Sequence, residues 1–219
     1  MTLAERRESL SQSFRRKRVA VFLPLIEAAF QRTGNCRIID LGGRANYWDL
    51  FDRGFLEANK VHVTTVNLET PGGVSDPMFT EIQGDTLNLP QFGDLSFDIA
   101  HSNSVIEHVG DWGNMERFAA EARRLAPAYF VQTPYYWFPV EPHFTAPFFH
   151  WLPEGVRASR MLRRAHGWAP RSSDMGEAMR HVQSARLLDR AQMRYLFPDG
   201  RLVEEKVFGL TKSLMVVKP

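Results

Sequence analysis

The chain has a single cysteine, Cys36, among its 219 residues. That excludes an internal disulfide framework and any zinc site built from cysteines. Standing just ahead of a strand, Cys36 reads as a small apolar residue. No run of about 18 apolar residues occurs, so no segment reads as a membrane-spanning helix. The first residues, MTLAERRESL, place charge where a secretory signal needs an apolar stretch. A cytoplasmic protein is expected. Charge of one sign is also scarce in excess. With 27 basic and 25 acidic residues the formal net charge is +2, and the cations are scattered, which argues against a nucleic-acid partner. Two phosphate-cradling signatures are missing as well, G-x-G-x-x-G and G-x-x-x-x-G-K-[ST]. Their absence disfavours a nicotinamide-dependent oxidoreductase and a P-loop nucleotide enzyme.

What is present is enough apolar material, 44%, for one α/β domain with a full core. Strand-like runs fall at 37–41, 61–67, 97–102, 128–133, 201–209 and 213–218, with a further strand region before Gly84. Helical patterns fall at 47–58, 113–126 and 184–197, and residues 1–33 read as N-terminal helices, broken or restarted at Pro24. Alternating strands and helices predict a doubly wound, mostly parallel sheet. The last two strands are too close for a helical crossover and pair antiparallel. Residues 136–183, rich in Pro, His and aromatics, break the rhythm after the fifth strand. We read them as a cap inserted in a single domain, at the sheet edge where open α/β folds bind ligands. The alternative is a packed surface cap without chemistry.

The stretch Arg37-Ile38-Ile39-Asp40-Leu41-Gly42-Gly43 carries the most information. A strand that runs into paired glycines lets a ligand approach main-chain atoms that a Cβ would cover. The glycine spacing does not suit a pyrophosphate, and Asp40 suits a ligand with positive charge. S-adenosylmethionine (SAM), with its ammonium and sulfonium, is such a ligand. Glu69, or Asn67 if the strand ends earlier, stands where a second strand end can accept from ribose hydroxyls. Asp85, after the third strand region, can accept from the adenine amino group. Each acid alone is equally a helix cap or a solvated turn residue. Their ordered recurrence at three successive strand ends carries the reading.

The segments RIIDLGG, VTTVNLE, GDTLNLP, FDIAHSNSVIEHV and RRLAPAYFVQTPYYWFPVEPH, with the closing LFPDGRLVEEKVFGLTKSLMVVK, resemble a class I SAM-dependent methyltransferase of the type-11 kind. The likeness is strongest to a bacterial subgroup with a Gly-Gly turn, an S-N-S-V-I-E-H-V segment and an E-P-H-F cap. It implies a seven-stranded, Rossmann-like sheet with SAM across the carboxyl ends of strands one to four, held by Asp40, Gly42, Gly43, Asn67, Glu69, Asp85, Asn103 and Ser104. Arg44 and Asn46 replace two glycines of the usual turn. Arg44 either meets the cofactor carboxylate or points to solvent.

Two histidines are candidates for proton transfer, His108 and His143, since an imidazole takes a proton near neutral pH. For Glu107-His108 a second reading stands, a helix-start pair that orders a loop. Glu107 and His108 resemble the E-H pair of ubiquinone-type O-methyltransferases. There a Glu three residues earlier helps hold a metal. Ser104 occupies that place here, so no metal is expected. Tyr135, Tyr136, Glu141 and His143 are the candidate acceptor contacts, with Trp137, Phe138, Phe144, Phe148, Phe149 and Trp151 as an apolar lid; His150 is read as packing. Acceptors that fit are a small molecule, a glycan or a lipid-linked intermediate, O- or N-methylated. Arg15–Arg18 and Arg157–Arg164 fit either weak contact with a membrane surface or solvated helix faces. The alternative function is a non-catalytic, SAM-binding or regulatory protein with the same fold.

Overall fold

A computed structural model describes the backbone of residues 3–69, 72–167 and 169–219 and the side chains of these from residue 16 onward. Helix α1 (Leu3–Thr33) is followed by β1 (Cys36–Leu41), a 3-10 turn (Ala45–Leu50), α2 (Arg53–Ala58), β2 (Val61–Asn67), β3 (Phe79–Gln83) and β4 (Ile99–Asn103). Next come α3 (Trp112–Leu125), β5 (Ala128–Pro134), a short ladder of β6 (Val140–Glu141) and β7 (Ala146–Pro147), then α4 (Glu154–Met161) and α5 (Met175–Gln183). Helix α6 (Arg190–Leu196), β8 (Arg201–Val207) and β9 (Leu210–Lys218) close the chain.

Seven strands form one sheet in the order β3-β2-β1-β4-β5-β9-β8. Strand β1 pairs parallel with β2 (Asp40 opposite Thr65) and with β4 (Asp40 opposite His101), and β2 pairs parallel with β3. The expected α/β class with a mostly parallel sheet is what the chain builds. Strand β5 is buried along its whole length and β1 at every position but Arg37, as strands covered on both faces must be. Strand β3 is half exposed and its alternation weak, so the sequence marked its place but not its bounds. Strands β8 and β9 are joined by Phe208 and Gly209, both at positive φ, a two-residue turn that only an antiparallel hairpin uses.

By compactness of contacts the chain falls into two units. The first comprises Met1–Asn103, Ala120–Val131 and Val217–Pro219; the second comprises Ser104–Ala119 and Gln132–Val216. In the first, α1 buries Val19, Phe22, Leu25, Ile26 and Ala29; of the residues at helical spacing in the sequence, Phe22, Leu25 and Ile26 are buried and Val21 and Phe30 half-buried. Pro24 does not interrupt it. Pro24 lies on the exposed face, and buried residues on both sides hold the axis through the missing N–H. Cys36 is fully buried, and that burial, with the charge of Asp98 beside it, pushes its thiol pKa up to about 12. The expected helix at 47–58 is instead the 3-10 turn plus α2, parted at Phe51-Asp52; Asp52 caps α2 by accepting from Phe55 N–H.

In the second unit Phe144, Phe149, Ala158, Met161, Ala178 and Val182 form a core of their own. Helix α5 lies in the stretch read as irregular, and α6 starts at a capping box, Asp189 with Gln192, later than the residue 184 expected. The guanidinium of Arg190 lies 4.5 Å from the centre of the Tyr135 ring and donates to the Tyr135 hydroxyl and to both Glu204 oxygens.

Arg190 first, and then Thr211, hold the Glu204 carboxyl down to about 2 by hydrogen bonds. A depressed acid stabilises the fold fully above its ordinary pKa near 4.5, and that stabilisation is lost as pH falls toward 2. The urea midpoint of Glu204→Gln should therefore trail the parent at pH 7 and approach it at pH 3. A gap that stays constant with pH would show that the ion pair does not set it.

Candidate active site

The first unit carries most of the residues expected to hold a cofactor. Strand β1 delivers Asp40 to its end, and its side chain turns inward, fully buried. One oxygen accepts from the Trp48 indole N–H at 2.9 Å, the other from His101 Nδ1 at 2.7 Å. A carboxylate without water needs such donors. Phe22, Phe51 and Phe130 close around the pair; His101 stacks on Phe130 at 5.4 Å and 6°. Asp40 thus meets two protein N–H groups rather than the cationic part of a ligand. The expectation of a ligand contact missed this because nothing in a strand-end acid's own sequence says which way it turns; a Trp eight residues on and a His on the next strand were the signals.

Gly42, at φ 75°, donates its N–H to Val66 O and turns the chain out of β1. Gly43 has a separate reason to be glycine. A Cβ there would stand 1.8 Å from Asp40 Oδ2, so the glycine leaves room for the carboxylate, not for a ligand. Asn67, at the end of β2, donates to Gly43 O at 2.6 Å and ties the turn to the sheet. Glu69 lies just beyond, exposed, paired with Arg44 at 2.7 Å. A small hollow of about 40 Å³ lies here, lined by Arg44, Thr65, Asn67, Glu69, Gly72, Glu81 and Ile82. Asp85 is exposed and accepts from Leu87 N–H at 3.0 Å, a turn contact that leaves one oxygen available. Asn103 Oδ1 accepts from Arg18 at 3.0 Å. Arg18 is buried, so the basic run turns at least this member away from any membrane surface; Arg15 lies outside the described side chains.

The second unit begins with Ser104, at φ 58°, whose hydroxyl donates to Gln132 Oε1 at 2.9 Å. Beyond it Glu107 is 1% exposed; one oxygen accepts from Thr133 Oγ1 at 3.0 Å and the other has no hydrogen-bond partner among the described residues. Burial pushes its carboxyl above the ordinary range, against the pull of His108 and His143. His108 is exposed; its Nδ1 donates to Ser184 O at 2.7 Å. Its Nε2 faces the Nε2 of His143 at 3.0 Å, and His143 Nδ1 is held by the Glu141 carboxylate. Burial lowers the His143 pKa, but the Glu141 hydrogen bond and charge, with the charge of Glu107, leave it raised on balance. Glycine at 167 keeps this strap in place: a Cβ there would lie 2.4 Å from His143 O. The two candidate histidines are therefore one constellation with Glu107 and Glu141. Looking for a third metal ligand inside the 104–108 segment missed that His143 arrives beside them from another part of the chain.

A cavity of about 660 Å³ also lies within the second unit, lined by Trp112, Met115, Tyr136, Glu141, His150 and Arg157 among others. Tyr136 and Glu141, two of the candidate acceptor contacts, are on its wall. His150 also lines it: its Nε2 donates to Tyr136 O at 2.7 Å, and burial lowers its pKa. His143 and His108 are not among the lining residues. Tyr135 is not either. Its hydroxyl and ring are taken by Arg190, which removes it from the acceptor set. Of the presumed lid, Phe144 and Phe149 are core, while Trp137 (56% exposed) and Phe148 (52%) stand out to solvent.

The arrangement is that of a class I methyltransferase fold. The structure of 1,6-didemethyltoxoflavin-N1-methyltransferase from Burkholderia thailandensis, with bound 1,6-didemethyltoxoflavin and S-adenosylhomocysteine, is similar at 15% identity over 89% of this chain and 76% of that chain, TM-score 0.51. A SAM-dependent methyltransferase from Methanosarcina mazei is similar at 14% identity over 84% of this chain and 91% of that chain, TM-score 0.48. No curated protein matches. Residues 53–127 match the family described as "Methyltransferase domain". The protein is accordingly a SAM-dependent methyltransferase, with SAM as its cofactor. Among the described residues no helix is long and apolar enough to cross a membrane.

Gly43→Ala should force the Asp40 carboxylate off at least one of its two donors. Losing a buried, charge-assisted bond costs about 1.5–3 kcal/mol. Urea unfolding should show a loss of that size. An unchanged midpoint would mean that the Asp40–Trp48–His101 cluster is not what excludes a Cβ at 43.

Proposed function

We propose that the enzyme methylates a hydroxyl or amino group of a small-molecule, glycan or lipid-linked acceptor, with the acceptor seated against the second unit. The carrying observation is the 660 Å³ cavity, whose aromatic walls meet a few polar groups, Tyr136, Glu141, His150 and Arg157. That make-up and volume are usual for a small-molecule site. Under this reading residues 136–183 are the acceptor cap of a single methyltransferase domain, and the cell interior is its compartment.

The residues present fit the cofactor at its ribose end. Glu69 offers an exposed carboxylate, the acceptor type a ribose diol needs, and Asp85 keeps one free oxygen for an amino group. Gly42 turns the chain out of β1 beside them, and Asn67 holds that turn to the sheet. Arg44 already occupies Glu69, but an ion pair this exposed contributes at most about 1 kcal/mol, so it does not bar a ligand. When bound, SAM supplies a methyl group already activated on a sulfonium. The protein's share is then to orient the acceptor, to exclude water, and to take a proton where the acceptor is not already nucleophilic. Neither His143 nor His108 lines the cavity, but His143 is bonded to Glu141, which does, and these two are the imidazoles proposed for that last task.

S-adenosylhomocysteine should bind with micromolar affinity, roughly −7 to −8 kcal/mol. Glu69→Ala should weaken it by about 1.5–3 kcal/mol in calorimetry. No heat at millimolar cofactor would sink the cofactor assignment, and an unchanged Kd in the variant would move the ribose contact away from Glu69. For the acceptor, extract metabolites incubated with labelled SAM should yield a labelled product. Tyr136→Ala should then raise the acceptor KM several-fold and leave the cofactor Kd unmoved, as expected when only acceptor binding is lost. Equal loss of both would make Tyr136 a residue of the fold.

A further inference from the structure

The hydrogen-bond arithmetic around His108 and His143 does not close. Ser184 O is a carbonyl and can only accept, so the hydrogen of His108 sits on Nδ1. The Glu141 carboxylate likewise fixes the hydrogen of His143 on Nδ1. Both Nε2 atoms are then lone pairs, and they point at one another across 3.0 Å. Something positive belongs between them. Beside them is Glu107, 1% exposed, with one carboxylate oxygen unpartnered among the described residues. The three ligand atoms lie within 4.8 Å of one another.

We propose that Glu107, His108 and His143 bind one divalent first-row transition-metal ion. Two imidazole nitrogens about 2.0–2.1 Å from a common ion are roughly 2.8–3.4 Å apart for angles between 90° and tetrahedral, a range that includes the 3.0 Å separation seen. Two neutral imidazoles and one carboxylate form a mixed donor set that suits zinc, cobalt or iron; magnesium and calcium want oxygen alone. The outer contacts are those a metal site uses. Glu141 and Ser184 O hold the far nitrogens and thereby fix both tautomers, and Thr133 steadies the carboxylate. The cation also gives a partner to the buried Glu107 carboxyl, to which no Lys or Arg is bonded among the described residues. Three protein ligands leave at least one position open, which water can take. The competing occupant of the gap is a single proton shared by the two rings.

Metal binding does not depend on methyl transfer, so its test is separate from that of the proposed function. The untagged full chain, stripped with chelator, is titrated with Co²⁺ and followed by visible d–d absorption, then displaced with Zn²⁺. One equivalent should bind, and Zn²⁺ should bleach the signal. His143→Ala and Glu107→Gln should each weaken Co²⁺ binding at least tenfold. Glu141→Gln should weaken it about 10–100-fold through the orientation of His143. His62→Ala, on strand β2, should leave it unchanged. Circular dichroism and urea midpoints of the metal-free variants show whether each still folds. Absence of a d–d signal at millimolar Co²⁺ in the folded parent would overturn the site and leave the shared proton, visible as a single ring-proton resonance. A signal equal in parent and His143→Ala would also overturn it, since the ion would then lie elsewhere.

Discussion

The buried carboxylate of Asp40 is the constraint on which the first unit is arranged. A charge removed from water is tolerable only if donors meet it, and removing one donor leaves an uncompensated ion. Trp48 and His101 are those donors. To bring an indole N–H back over the end of β1 the chain must reverse at once, which it does through Gly42 and the 3-10 turn of Ala45–Leu50. The reversal puts Tyr47, Trp48 and Phe51 against Phe22 and His101, so α1 docks through the same cluster. Strand pairing, turn and helix docking share one polar centre, and Gly43 is its steric condition.

The fold was legible because its signals are periodic. The buried stripe of α1 and the apolar positions of β1, β2 and β5 each report burial directly. What failed were places where tertiary contacts override a local rule. Pro24 should end a helix, yet its ring faces solvent and the buried residues around it carry the axis across. The 47–58 pattern is helical in composition, but the demand that Trp48 reach Asp40 tightens its first half into a 3-10 turn.

The site was legible as a set of residue types and not as a set of partnerships. His108 and His143 were both visible candidates, but 35 positions separate them and no local rule links them. The same blindness made Tyr135 look like an acceptor contact, when an arginine 55 positions on claims its hydroxyl. Asp40 shows the converse. Its position was read correctly and its direction was not, because a strand-end acid beside glycines serves a ligand or the protein's own turn with the same sequence.

The energies separate what a ligand can rearrange from what it cannot. The Arg44–Glu69 pair has side chains 67% and 73% exposed, so its rupture costs at most about 1 kcal/mol. A cofactor bound at micromolar affinity brings about 8 kcal/mol. It can displace Arg44 and take the Glu69 carboxylate with most of that affinity left. The Asp40 cluster is different in kind. Freeing its carboxylate strands two buried N–H groups at about 1–3 kcal/mol each and exposes a charge that the aromatic cage cannot solvate. A ligand that reached for Asp40 would spend most of its affinity on the rearrangement. The exposed Arg44–Glu69 pair is therefore the part of this turn that a ligand can rearrange at little cost, while Asp40 stays fixed and holds the turn on which Arg44 sits.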